Sequence, residues 1–221
     1  MQQTNEINEV GLVTTKPKVY VVEDDESYRR ALRNLLGSVE YDVVDFATAD
    51  DFLRAYHDDM RGCLIVDVRM PGMSGLDLQE ELRVRRCPLP IIFISAFGDV
   101  PSTVRAMKAG AVDFLEKPFK SQALLDGVRE ALQLDEQNHA KNLNRSTLEQ
   151  RHGELTPRER EVMALVVTGL TNKAVARNLG ISEKTVKVHR GRVMEKMRAD
   201  SLAELVVMAQ TLGLSTAKST T

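Results

Sequence analysis

Short apolar runs alternate with amphipathic stretches along the first 134 residues. Val19–Val22 is an apolar run that reads as a strand, and it stops at Glu23-Asp24-Asp25-Glu26. Arg29, Leu32, Leu35 and Leu36 then recur at helical spacing, which predicts a helix from Glu26 to Gly37. The alternation continues with a strand over Asp42–Phe46 and a helix over Thr48–His57, opened by Thr48 as N-cap. Cys63–Asp67 is a third strand, followed by Met70-Pro71-Gly72-Met73 and a helix from Ser74 to Val84. Leu89–Ile94 is a fourth strand with Ser95 at its end. Val100–Met107 is a helix with Pro101 in its first turn, and Ala111–Leu115 is a fifth strand. After Lys117-Pro118-Phe119-Lys120 a helix begins near Ser121 and can run beyond Leu134.

Five β–α alternations imply an α/β fold: a five-stranded, doubly wound parallel sheet with helices on both faces. In that class the first and third strands flank the switch point, where open sheets bind ligands beyond their strand ends.

The pattern changes after residue 134. Residues 135–151 are polar with sparse leucines and read as either an extended solvated helix or a flexible linker. Structure restarts at Thr156-Pro157-Arg158-Glu159, where Thr156 caps, Pro157 takes the first helical position and Glu159 completes a capping box. Thr171 caps a helix over 172–178 that ends at Gly180, and Ser182 caps the next, to about Met197. Ser201 caps a last helix to about Leu212. Four short helices with a tight turn at Leu179-Gly180-Ile181-Ser182 read as an all-α helix-turn-helix domain. The expected organisation is a disordered tail over 1–16, an α/β domain over 17–134, the linker, a helical domain over 152–214 and a tail over 215–221.

Charge sharpens this division. Residues 1–150 hold 18 Lys/Arg against 25 Asp/Glu, and residues 151–221 hold 12 against 7. An acidic first part and a basic second part imply different partners, nucleic acid for the second. Cys63 and Cys87 form no CxxC and read as reduced core residues. The uncharged stretches Cys87–Gly98 and Leu205–Ala217 are too short to span a bilayer, and the N-terminal residues lack an apolar signal core. A soluble, cytoplasmic protein is expected, without membrane association.

Asp67 taken alone is a turn cap, Lys117 a surface lysine and Ser95 a strand-end hydroxyl. They gain meaning through shared geometry, because the predicted topology gathers Glu23, Asp24 and Asp67 at one edge of the sheet. Four acidic residues in a row repel one another, and a hard divalent cation with oxygen ligands relieves that repulsion. In the helical domain, Lys184, Lys187, His189, Arg190, Arg192 and Lys196 lie on the third helix. A basic helix of this kind is often a solvated face. Here the preceding turn and the net positive charge favour DNA.

Val21-Val22-Glu23-Asp24, Asp67–Gly75, Ser95-Ala96 and Lys117-Pro118-Phe119 together resemble the receiver domain of two-component response regulators, a flavodoxin-like fold. Thr156-Pro157-Arg158-Glu159 and Ser182–His189 resemble the LuxR-type output domain of the NarL/FixJ class. The general likeness is to TodT/StyR-like regulators. The resemblance implies Asp67 as phosphoacceptor from a sensor histidine kinase. It implies Mg²⁺, with Mn²⁺ as an alternative, held by Glu23, Asp24, Asp67 and the Arg69 backbone carbonyl. Ser95 and Lys117 would bind the phosphoryl group, Phe114 would be the switch aromatic, and Lys117-Pro118 would be cis. Lys184, Thr185, Lys187, Val188 and Arg190 would contact DNA. Phosphorylation would pair two receivers into a homodimer, present two basic domains to two half-sites and engage RNA polymerase. Two rivals remain: a constitutive DNA-binding regulator with a structural receiver, and an aspartyl-phosphate phosphatase. The phosphatase would want a second Asp two residues after the nucleophile, where Arg69 stands.

Overall fold

The computed structural model describes residues 6–7, 13–14, 17–96 and 100–214. The chain divides into two compact units, Met1–His139 and Ala140–Thr221.

The first unit is built on a five-stranded parallel sheet. Two short strands, β1 (Glu6–Ile7) and β2 (Val13–Thr14), pair antiparallel ahead of it. The expected tail over 1–16 thus contains a small ladder, which its aperiodic polar sequence does not signal; the rest of that tail, and the tail over 215–221, lie outside the described residues. The main sheet consists of β3 (Lys18–Val22), β4 (Val43–Phe46), β5 (Gly62–Asp67), β6 (Ile91–Ser95) and β7 (Asp113–Glu116), in the order β4-β3-β5-β6-β7. Between them run α1 (Glu26–Gly37), α2 (Ala49–Ala55), α3 (Gly75–Val84) and α4 (Val100–Lys108).

Strand alternation fills two cores. Tyr20, Val22, Leu64, Val66 and Phe93 face α2, α3 and α4 through Phe52, Leu78, Leu82 and Ala106. Val19, Val21, Cys63, Ile65, Ile92 and Ile94 face the other way, onto Leu32 and Leu36 of α1 and Leu124, Val128 and Ala131 of α5 (Ser121–Gly153). Strands buried on both faces need apolar residues throughout, so Gly62–Val66 is a continuous non-polar run. β3 pairs with both β4 and β5, and its register sets Val22 opposite Val66. One residue further on, Glu23 and Asp67 leave adjacent strand ends at the switch point. β7 starts two residues later and ends one residue later than the expected Ala111–Leu115. Its register is set by pairing Asp113–Glu116 with Ile92–Ser95 rather than by its own apolar run.

α5 runs from Ser121 to Gly153, so residues 135–151 lie wholly inside one continuous helix. Near its middle Asp135, only 2% exposed, pairs with Arg61 at 2.8 Å.

The second unit consists of α6 (Pro157–Val166), α7 (Asn172–Leu179), α8 (Glu183–Met197) and α9 (Leu202–Thr211), with the end of α5. Thr156, Thr171, Ser182 and Ser201 all cap as the sequence predicts, and Thr156 with Glu159 forms the capping box. Gly180 ends α7 in the left-handed conformation (φ 65°), where a Cβ is strained. The core here is leucine, valine, methionine and alanine, without an aromatic ring. Every Tyr and Phe of the chain precedes residue 120, and there is no Trp.

Candidate functional site

The acidic site is assembled by chain turns immediately after β3, β5, β6 and β7. Asp25 caps α1 by accepting from the Tyr28 N–H at 2.9 Å, which turns the acidic loop back over the sheet edge. Glu23 is buried, Asp24 exposed and Asp67 buried. One carboxylate oxygen from each lies within 4.8 Å of the others. After Asp67 the chain must turn closely under itself: a Cβ on Gly75 would collide with the Asp67 carbonyl oxygen and the Val66 side chain. The Arg69 N–H donates to Asp67 Oδ1 at 3.0 Å and fixes that carboxylate's rotation.

Lys117 reaches the cluster from the end of β7. Its backbone N–H donates to the Ser95 carbonyl at 2.7 Å, and the Lys117-Pro118 bond is cis, as expected. Its Nζ donates to Glu23 Oε2 and to Asp67 Oδ2, each at 2.7 Å. Burial opposes the lysine charge, but the hydrogen bonds to Asp67 and Glu23 outweigh it and raise the Lys117 pKa. Burial, reinforced by the Asp67 charge, pushes the Glu23 carboxyl up, and the hydrogen bond from Lys117 pulls the other way. Three carboxylates against one ammonium leave the cluster negative, with oxygen donors only. That donor chemistry suits a hard divalent cation.

Two residues join this site without having been predicted. The Arg29 guanidinium donates to the Glu23 carbonyl (2.6 Å) and the Asp24 carbonyl (3.2 Å), and is itself held by Asp45 at 3.2 Å. The Tyr28 ring lies under Lys117 Nζ, 4.2 Å from the ring centroid. Both stand on the first turn of α1, where an Arg or Tyr beside an acidic loop was the only available signal. Ser95 is fully buried at the end of β6. Phe114 is not gathered into the cluster; it sits on β7, half-buried against Phe93 with ring centroids 6.3 Å apart. The residues that follow Ala96, 97–99, lie outside the described residues.

In the second unit α8 packs on α6 and α7 through Val186, Val193 and Met197. Lys184, Lys187, Val188, Gly191, Arg192 and Glu195 form its exposed stripe, at helical spacing. Val188 is 49% exposed, so the core does not explain an apolar side chain there. The other predicted contacts are more engaged. Thr185 shares a 2.8 Å hydrogen bond with Ser182 Oγ, and Arg190 donates to Asn172 Oδ1 at 3.2 Å. His189 is half-buried, its Nδ1 enclosed without a hydrogen-bond partner among the described residues. Lys196 belongs to the basic helix by sequence, yet it turns inward and donates to buried Glu159 at 2.7 Å. That bond, with the Thr156 N–H, holds the Glu159 carboxyl down at about 2.

A parallel sheet with this acidic switch point, followed by a basic helix-turn-helix, defines a class. The chain matches the response regulator receiver domain over residues 19–129 and the bacterial regulatory proteins of the luxR family over 153–209. It belongs to the response regulators that couple a receiver to a LuxR-type DNA-binding domain, and it is a phosphorylation-dependent transcriptional regulator. It is 52% identical over 202 residues to Nodulation protein W of Bradyrhizobium diazoefficiens, covering 91% of this chain and 89% of that protein. It is 43% identical over 194 residues to the response regulator protein TodT of Pseudomonas putida, covering 88% of this chain and 86% of TodT. Among solved structures, the response regulator StyR is similar at 49% identity and a TM-score of 0.77, over 88% of this chain and 98% of that one. The likeness to TodT and StyR is present, alongside that to Nodulation protein W. No helix among the described residues is long and apolar enough to cross a membrane.

Proposed function

We propose that Asp67 is the phosphoacceptor through which a sensor histidine kinase controls DNA binding by this chain. The observation that carries the reading is the Lys117 ammonium bridging the buried carboxylates of Glu23 and Asp67, at 2.7 Å from each. An Asp67 carboxylate oxygen attacks the phosphorus of a phosphohistidine; the new O–P bond forms as the P–N bond breaks, and the imidazole leaves with the electron pair. Such a transfer needs positioning and charge neutralisation more than covalent help. Lys117 is placed to follow the phosphoryl oxygens, and the Arg69 N–H holds one Asp67 oxygen still while the other reacts. Glu23, Asp24, Asp67 and the Arg69 carbonyl would hold Mg²⁺ or Mn²⁺. When bound, such an ion supplies positive charge to the phosphoryl oxygens. The protein is consumed and regenerated as an acceptor and is not itself an enzyme; Arg69 stands where a phosphatase of this type would carry its second aspartate.

Ser95 would donate its hydroxyl to the phosphoryl group, and Phe114 would move into the space it leaves. The receiver face built on α4, β7 and α5 would then pair with a second copy. Val100, Val104 and Met107 support that pairing, because they form an exposed apolar stripe at helical spacing on α4. Pairing presents two DNA-binding units to two half-sites and raises effective concentration. Lys184, Lys187 and Val188 face outward to read the major groove, with Thr185 and Arg190 flanking them and RNA polymerase as the downstream partner. Action on DNA makes the cytoplasm its place of work.

Intact mass after incubation with acetyl phosphate and Mg²⁺ tests the reading. Wild type gains one phosphoryl group and Asp67→Asn gains none. A folded wild type that gains none from acetyl phosphate or from a kinase donor removes the proposal.

A further inference from the structure

The ammonium of Lys117 has three N–H donors and no acceptor. Two carboxylates occupy two of its sides, Glu23 and Asp67. The Tyr28 ring occupies another, 4.2 Å from Nζ. The lysine side chain is only 13% exposed, so water contributes little to holding it. Tyr28 is itself fixed from two directions. Its backbone N–H donates to Asp25 in the cap of α1, and its ring meets Phe119 edge-on at 6.2 Å, with an interplanar angle of 85°. Phe119 follows Lys117 by two residues, so one aromatic pair brackets the turn that carries the lysine. A ring face attracts a desolvated cation without accepting a proton or competing for a metal, and it leaves the ammonium free to pivot between oxygen partners.

We propose that Tyr28 is a positioning residue for phosphoryl transfer: its ring holds the Lys117 ammonium over Asp67 and so sets the rate at which Asp67 is phosphorylated. The inference rests on Asp67 as acceptor. Carboxylates alone would pull Lys117 to whichever oxygen is most negative. The ring supplies a constant partner while the charge on Asp67 becomes that of an acyl phosphate. The hydroxyl has no part in this, so phenylalanine can replace tyrosine and an aliphatic side chain cannot.

The test uses the full chain as wild type, Tyr28→Phe, Tyr28→Leu and Tyr28→Met, the last keeping an unbranched side chain that fills the space if leucine misfolds. The first readout needs no phosphodonor. The Lys117 ε-methylene NMR resonances are shifted upfield by the ring in wild type and Tyr28→Phe, and return to ordinary values in the aliphatic variants. The second is the rate of phosphoryl gain from acetyl phosphate with Mg²⁺, followed by intact mass. Tyr28→Phe stays within about twofold of wild type, while the folded aliphatic variants slow by about three- to thirtyfold, the span of a cation–π contact from exposed to desolvated. Folded aliphatic variants that phosphorylate at the wild-type rate overturn the inference, as does a Lys117 signal with no upfield shift in wild type. A wild type that takes no phosphoryl group overturns the underlying reading and this inference with it.

Discussion

Lys117 shares its one positive charge between two carboxylates, and its removal would be felt as charge more than as lost packing. In Lys117→Gln the buried Glu23 and Asp67 carboxylates lose their common cation. Phosphorylation from acetyl phosphate should fall on the order of a hundredfold, as when one preorganised donor is taken from a site of developing charge. Rate measurement by intact mass checks it, with retained folding as control. Glu159 is the counterpart in the second unit, a buried carboxylate held by Lys196 and the Thr156 N–H. Its folded pKa, about 2, lies below the ordinary 4.5. The unfolded state therefore binds the proton more readily, so the stabilisation is complete above pH 4.5 and is lost as pH falls towards 2. Glu159→Gln should lower stability at neutral pH and flatten the acid loss across that window. Methyl NMR signals of Val162, Met163 and Met197 in the full chain report it. Neither Lys196 as an inward-turned partner nor Arg29 as a clamp on the acidic loop could be read from sequence, because a long cationic side chain is equally at home on a solvated helix face.

At the scale of elements, the legible parts were those whose local chemistry leaves one solution. Apolar runs ending in Glu23 and Asp67 marked the two strands that flank the switch point, and the hydroxyl caps marked the helix starts. What escaped was decided by neighbours. β7 takes its limits from β6, and the small ladder of β1 and β2 exists only because two segments meet. The extent of α5 was open, since a polar sequence with sparse leucines suits a solvated helix and a flexible linker alike. Within the helix-turn-helix, Gly180 holds φ at 65°, a conformation a Cβ disfavours. Gly180→Ala should cost about 1–2 kcal/mol and loosen the angle at which α8 is presented. A denaturant titration measures the first effect, and a weaker gel shift the second. Asp135 on α5 is paired with Arg61 in a buried setting. Asp135→Ala strands that arginine and should destabilise the first unit by roughly 3 kcal/mol. Thermal unfolding checks the size, and restoration by a second change, Arg61→Met, checks the cause.

For the whole molecule, the division of charge matches a division of work. The receiver is acidic, as the proposed phosphoacceptor and cation site requires; the second unit is basic and handles DNA. Electrostatic affinity for DNA depends on how many phosphates are neutralised. Lys187→Ala should weaken binding and, if its ammonium contacts phosphate, lower the salt slope by about one. Val188→Ala should leave that slope unchanged and alter sequence preference, because an apolar side chain reads a base edge and neutralises nothing. Gel shifts across a salt series, with and without acetyl phosphate, separate the two.

The confinement of every Tyr and Phe to the first 119 residues, with no Trp, makes the two units optically distinct. Tyrosine emission and near-ultraviolet dichroism of the intact chain arise from the receiver alone, while far-ultraviolet dichroism sums the helices of both units. One unlabelled sample therefore carries its own internal reference. Curves from the two signals that superimpose on heating mean the units melt together, and curves that separate mean each melts by itself. The aliphatic core of the DNA-binding unit thus turns a question about coupling into a comparison of two wavelengths.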